Sequence, residues 1–104
     1  MALLRAFADV LQEYRDAKKS GALFVSVAAA SENLVRFYLK DGEVCYISFG
    51  PLKDRECYDV LDCYDFGKAV YFDGMKPPAI SADLPKTEEM IEKFRKLGKQ
   101  VRLG

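Results

Sequence analysis

Three thiols, a run of carboxylates and two tyrosines beside cations are the side chains of this sequence whose types could do chemistry. Cys45, Cys57 and Cys63 are odd in number and show no CxxC spacing, which suits reduced thiols better than a disulfide framework. Histidine is absent, so the commonest general base and metal ligand is missing and no Ser-His or Cys-His nucleophile pair can form within the chain. Cys45 is expected on the core face of a strand and Cys57 on the apolar stripe of a helix, both as small buried hydrophobes. Cys63 falls near the end of that helix and is expected to be unreactive. No catalytic residue is assigned.

Glu56, Asp59 and Asp62 recur every third residue, with Asp65 just beyond. Such a stripe could hold a hard cation or dock a basic partner. Helical carboxylates without loop carbonyls make a poor cage, and no Asp-x-Asp-x-Asp-Gly loop occurs, so a solvated face is the reading adopted and no metal is expected. The glycines are scattered turn residues rather than a GxGxxG or Walker pattern, so no cofactor is expected either. From Lys93 onward the chain holds Lys93, Arg95, Lys96, Lys99 and Arg102 with no acidic residue. These cations could touch phosphates or the acidic stripe, and complementing a helix dipole is the plainer account.

The elements that must position these groups follow from periodicity. Leu3, Leu4, Phe7, Val10, Leu11 and Tyr14 recur at helical spacing up to a stop at Ser20-Gly21. Strands are expected over Ala22 to Ala28, Leu34 to Lys40, Glu43 to Phe49 and Ala69 to Phe72, with a polar-ended connection over Ala28 to Asn33. A second helix runs from a cap at about Asp54 to Tyr64, and a third from a cap at Thr87 to a stop at Gly98. The segment Met75 to Pro85 contains three prolines and reads as an irregular crossing. The expected fold is α+β: an antiparallel four-stranded sheet with an N-terminal helix, a helix between strands 3 and 4, and a C-terminal helix, in a single domain over residues 1–104.

Asp41-Gly42 is a hairpin signal that permits two registers. A two-residue loop pairs Lys40 with Glu43 and groups Val35, Phe37 and Leu39 with Val44, Tyr46 and Ser48. A three-residue loop with a bulge at Gly42 groups them instead with Cys45, Ile47 and Phe49. The second arrangement segregates apolar from polar residues and is adopted. Burying Phe37 or Ile47 there contributes about 1.5–3 kcal/mol each. It leaves Arg36, Tyr38, Lys40 and Tyr46 on the opposite face as a candidate partner-binding set, since Tyr and Arg are enriched at protein hot spots. The plainer accounts are a face covered by a helix of the same domain, or ordinary sheet surface.

Half of the 104 residues are apolar and the aromatic share is 12%, enough for a packed core without staples. Lys plus Arg and Asp plus Glu both count 16, and the zero net charge argues against nucleic acid as the main partner. Neither a secretory signal nor a bilayer-spanning run is found, so a cytoplasmic protein without membrane insertion is expected.

Taken together, the amphipathic helix, Ser-Gly-Ala-Leu-Phe-Val, Phe-Tyr-Leu-Lys-Asp-Gly-Glu-Val, Ile-Ser-Phe-Gly-Pro-Leu, the short helix with Val60-Leu61 and the closing Gly-Lys-Ala-Val-Tyr-Phe resemble the PATAN family. These are small bacterial domains similar to the N-terminal region of PatA-type response regulators. The resemblance covers residues 3 to 73, and its informative positions are Gly21, Asp41-Gly42, Gly50 and Gly67. It implies a non-catalytic regulatory module that acts through protein contacts in signalling or surface motility. The sequence departs from the family pattern in carrying no receiver domain. Lys53 or Asp54 also stands where a glycine is usual, and Tyr64 near a usual tryptophan. The expected partner is therefore a protein, with a homodimer through the same face as one form of it. The alternative is a sensor that binds a small apolar ligand in a cavity lined by Phe7, Phe37 and Phe49 between the first helix and the sheet.

Overall fold

Each apolar stripe of the sequence ends against one sheet. The computed structural model describes residues 4–27 and 34–103. In chain order the elements are β1 (Leu4–Ala6), α1 (Phe7–Asp16), β2 (Gly21–Val27), β3 (Leu34–Lys40), β4 (Glu43–Phe49) and β5 (Leu52–Lys53). Then come α2 (Asp54–Val60) with a 3-10 turn at Leu61–Cys63, β6 (Phe66–Asp73), α3 (Thr87–Leu97) and β7 (Gln100–Leu103). The connection expected over Ala28 to Asn33 lies outside the described residues.

The α+β class holds, and the four-stranded antiparallel sheet is corrected to seven mixed strands in the order β1-β7-β6-β2-β3-β4-β5. The four expected strands form its antiparallel middle, β6-β2-β3-β4. The added strands are short. β5 follows the Gly50-Pro51 break and pairs Leu52 with Phe49. β7 lies parallel to β6, with α3 as the crossover between them, and β1 pairs antiparallel with β7. Residues Leu4 to Ala6 therefore leave the expected first helix. Leu4 is 56% exposed, and α1 starts only at Phe7, whose N–H donates to the Lys99 carbonyl at 2.8 Å.

The core lies between the three helices and one face of the sheet. Phe7, Val10 and Leu11 of α1, Cys57 of α2 and Met90 and Phe94 of α3 meet Leu23, Val25, Val35, Phe37 and Ile47 of the sheet. Both expected caps shift by one residue. Lys53 and Lys86 occupy the capping positions, and Asp54 and Thr87 are the first helical residues. Thr87 is buried, and its hydroxyl accepts the Val44 N–H at 2.9 Å, so it ties α3 to the sheet rather than capping the helix. The crossing before α3 is held at its start and near its middle: Gly74 N–H donates to the Ser20 carbonyl and Ser81 N–H to the Cys45 carbonyl, each at 2.8 Å. Among the described residues, no helix is long and apolar enough to cross a membrane.

Candidate interaction surface

Alternation along β3 divides its residues between two environments. Val35, Phe37 and Leu39 enter the core, while Leu34, Arg36, Tyr38 and Lys40 take the opposite face. The β3–β4 register sets which residues of β4 join them. Phe37 pairs with Ile47 and Tyr38 with Tyr46, as the bulged arrangement requires, yet Leu39 pairs with Val44 and Lys40 with Glu43. The turn is thus a two-residue Asp41-Gly42 loop with φ of 52° and 85°, and the extra residue sits at Cys45. The bulge at Gly42 is corrected to one at Cys45. Val44, not Cys45, joins Leu39 in the core, and the half-buried Cys45 thiol donates to the Tyr38 carbonyl at 3.4 Å.

The same alternation on the neighbouring strands turns the buried Ala22 with Phe24 and Ser26 of β2, and Lys68, Val70 and Phe72 of β6, to the face away from the helices. A row of rings results, one from each of the consecutive strands β6, β2, β3 and β4. Phe72 lies 5.0 Å from Phe24, Phe24 lies 6.4 Å from Tyr38, and Tyr38 lies 5.9 Å from Tyr46, all tilted or edge-on. Arg36 stacks over Phe24 with its guanidinium carbon 5.3 Å from the ring centre. Beside them a shallow groove of about 170 Å3 is lined by Phe24, Ser26, Leu34, Lys68, Val70 and Phe72.

The structure brings the four candidate residues to one face, but unequally. Lys40 is exposed, and Arg36 and Tyr46 are half-buried. Tyr38 keeps only 9% of its surface and supplies little contact area. Flanking rings account for this, since Tyr38 has Phe24 on one side and Tyr46 on the other. Sequence reasoning missed Phe24 and Phe72, of which Phe72 is 41% exposed. The signal was there: Phe24 alternates with the buried Leu23 and Val25, and Phe72 with Tyr71, which packs on Tyr14 of α1 at 4.8 Å.

The other candidate groups separate. Cys57 is buried and burial pushes its thiol up to about 12, while burial also raises Cys45. Cys63 is exposed. Glu56, Asp59, Asp62 and Asp65 are all exposed, and no metal-competent cluster of His, Cys, Asp or Glu occurs among the described residues. Two cations of the basic C-terminal stretch meet the end of α2: Lys93 pairs with Asp62 at 2.6 Å, and the largely buried Lys99 ammonium donates to the Asp62 and Tyr64 carbonyls. The rings expected around a ligand cavity fill the space themselves. Phe7 lies 5.0 Å from Phe37 and 5.2 Å from Phe94, and Phe49 packs on Tyr64 at 5.2 Å.

Comparison of the chain with protein-family models, with curated proteins and with solved structures finds no match in any of the three.

Proposed function

We propose that this chain is a non-catalytic regulatory module that works in the cytoplasm by binding another protein, in the manner its resemblance to the PATAN family implies for bacterial signalling or motility. The observation that carries the reading is the row Phe72, Phe24, Tyr38 and Tyr46 on the sheet face opposite the three helices. Aromatic rings held edge-on by their neighbours offer apolar area at little entropic cost, the property that concentrates binding energy in a few residues. The lack of histidine and the raised thiols of Cys45 and Cys57 give an active site little to work with. Binding a small apolar metabolite between α1 and the sheet is the weaker alternative, because Phe7 and Phe37 already occupy that space.

The test is capture from the native cell with the purified chain as bait. The recovered protein is then identified, purified and rebound directly. Binding should be lost in Phe72→Asp with the melting temperature retained. Equal binding by wild type and Phe72→Asp would move the interface off the sheet.

A further inference from the structure

The chain is neutral as a whole, yet its charges are sorted by face. Alternation and register turn five cations toward the side of the aromatic row: Arg36 and Lys40 on β3, Lys53 opposite Ser48, and Lys68 opposite Arg102. The one strand carboxylate in register with them among the described residues is Glu43, beside the turn, and it is already bound to Arg15 at 3.0 Å. Carboxylates outnumber cations on the first two helices, with Asp9, Glu13 and Asp16 against Arg15 on α1 and Asp54, Glu56 and Asp59 against Arg55 on α2, while α3 carries three of each sign. Ion pairs follow the same division. Each one among the described residues includes a residue of a helix, and none includes any of the five sheet-face cations.

From this we infer that the occupant of the sheet face is an acidic segment of a partner protein that also carries apolar side chains, an inference that rests on the protein-binding reading above. Cations left without an ion pair among the described residues, set around a low-dielectric aromatic surface, create a positive field that selects and orients an anionic partner. The rings and the groove beside Leu34 and Val70 supply the apolar contacts. A second copy docked face to face is disfavoured, because a two-fold axis would set these cations against their own copies. Single-stranded nucleic acid fits less well. The rings lean edge-on against one another and Tyr38 is 91% covered, which leaves few free faces for stacking bases, and the zero net charge of the chain gives no long-range attraction to a polyanion.

The experiment measures fluorescence anisotropy with four probes: a labelled peptide alternating Glu with Leu and Phe, the same peptide with Gln for Glu, an oligothymidine of equal charge, and phosphatidylglycerol vesicles. The proteins are the wild type, Arg36→Glu with Lys68→Glu, and Lys18→Glu, which makes a charge change away from the face. A milder Arg36→Gln with Lys68→Gln pair replaces the reversal if that variant does not fold. The acidic peptide should bind, weaken as salt rises, and lose about tenfold or more both in the double variant and when Gln replaces Glu, with under about twofold lost in Lys18→Glu. Equal binding of the Glu and Gln peptides, or none of either, would overturn the inference. So would oligothymidine or vesicles binding more tightly than the peptide and losing that binding in the double variant, or salt-sensitive self-association of the wild type. Failure here while Phe72→Asp still loses the native partner refutes the acidic chemistry alone. If Phe72→Asp also retains that partner, the protein-binding surface itself is refuted.

Discussion

A Cβ on Gly42 would stand 2.6 Å from the carbonyl oxygen of Arg15, so the β3–β4 turn and the end of α1 meet backbone to backbone. The Gly42 N–H also donates to the Lys19 carbonyl at 2.8 Å, and its φ is 85°. Steric overlap and a left-handed backbone thus act against any side chain at this one position. Gly42→Ala should cost about 2 kcal/mol or more in urea unfolding. A loss below about 0.5 kcal/mol would mean that the turn and α1 separate easily.

Lys99 is a second tie between distant segments. Its ammonium donates to the carbonyls of Asp62 and Tyr64, fastening the start of β7 to the 3-10 turn after α2. Lys99→Met keeps the apolar stem but leaves both carbonyls without that donor, and should cost about 1.5–3 kcal/mol. By contrast, Lys96→Met breaks only an exposed 3.4 Å pair with Glu92 and should cost less than about 0.5 kcal/mol. Equal midpoints for the two variants would show that Lys99 carries no structural weight.

Local pattern made the middle of the sheet legible, and long-range hydrogen bonds hid the rest. The sorting of Val35, Phe37, Ile47 and Phe49 from Arg36 and Ser48 is a period-2 signal, and the structure keeps it. The bulge moved from Gly42 to Cys45 because the backbone there is held by residues far along the chain. Val44 N–H goes to the Thr87 hydroxyl and the Cys45 carbonyl accepts from Ser81. Nothing local marks such partners. The strands β1 and β7 are too short to show a period, and they pair the two ends of the described chain. For the candidate surface, facing could be read from alternation, whereas the covering of Tyr38 depends on rings of neighbouring strands.

Asp54 is a local conflict between side chain and backbone. Its φ is 57°, a region that favours glycine, and its Oδ1 is buried without a hydrogen-bond partner. Asp54→Gly should stabilise the protein by about 0.5–1 kcal/mol, with Asp54→Ala gaining less because it retains the backbone strain. Chemical denaturation of the three proteins decides this. Destabilisation by Asp54→Gly would mean that the carboxylate helps the start of α2 more than its strain costs.

Alkaline pH should weaken the fold. Burial pushes the Cys57 thiol from an ordinary 9.0 up to about 12, and it carries Tyr58 and Tyr71 from 10.0 to about 12, aided at Tyr58 by Asp62 and at Tyr71 by its bond to Asp73. Above pH 9 the unfolded chain releases protons that the native chain keeps. The stability is therefore fully present below that pH and falls as pH rises toward the native values. Between about pH 9 and 10 the decline belongs mainly to Cys57, so Cys57→Val should flatten that stretch of a urea-midpoint profile. A wild-type midpoint that stays level through the window would show that these groups are not shielded from water.

Tyr38 and Tyr46 face each other across β3 and β4, and the difference in their exposure separates a structural role from a binding one. Tyr38 is buried between Phe24 and Tyr46, so Tyr38→Ala opens a gap in the aromatic row and should cost about 2–4 kcal/mol. Tyr46 is half-buried, and Tyr46→Ala should cost about 1 kcal/mol or less while removing partner binding. Melting curves beside direct binding to the captured partner test the pair together. If Tyr46→Ala lowers stability as much as Tyr38→Ala does, both rings belong to the fold. The surface available to a partner would then shrink to Phe72, Phe24 and the cations around them.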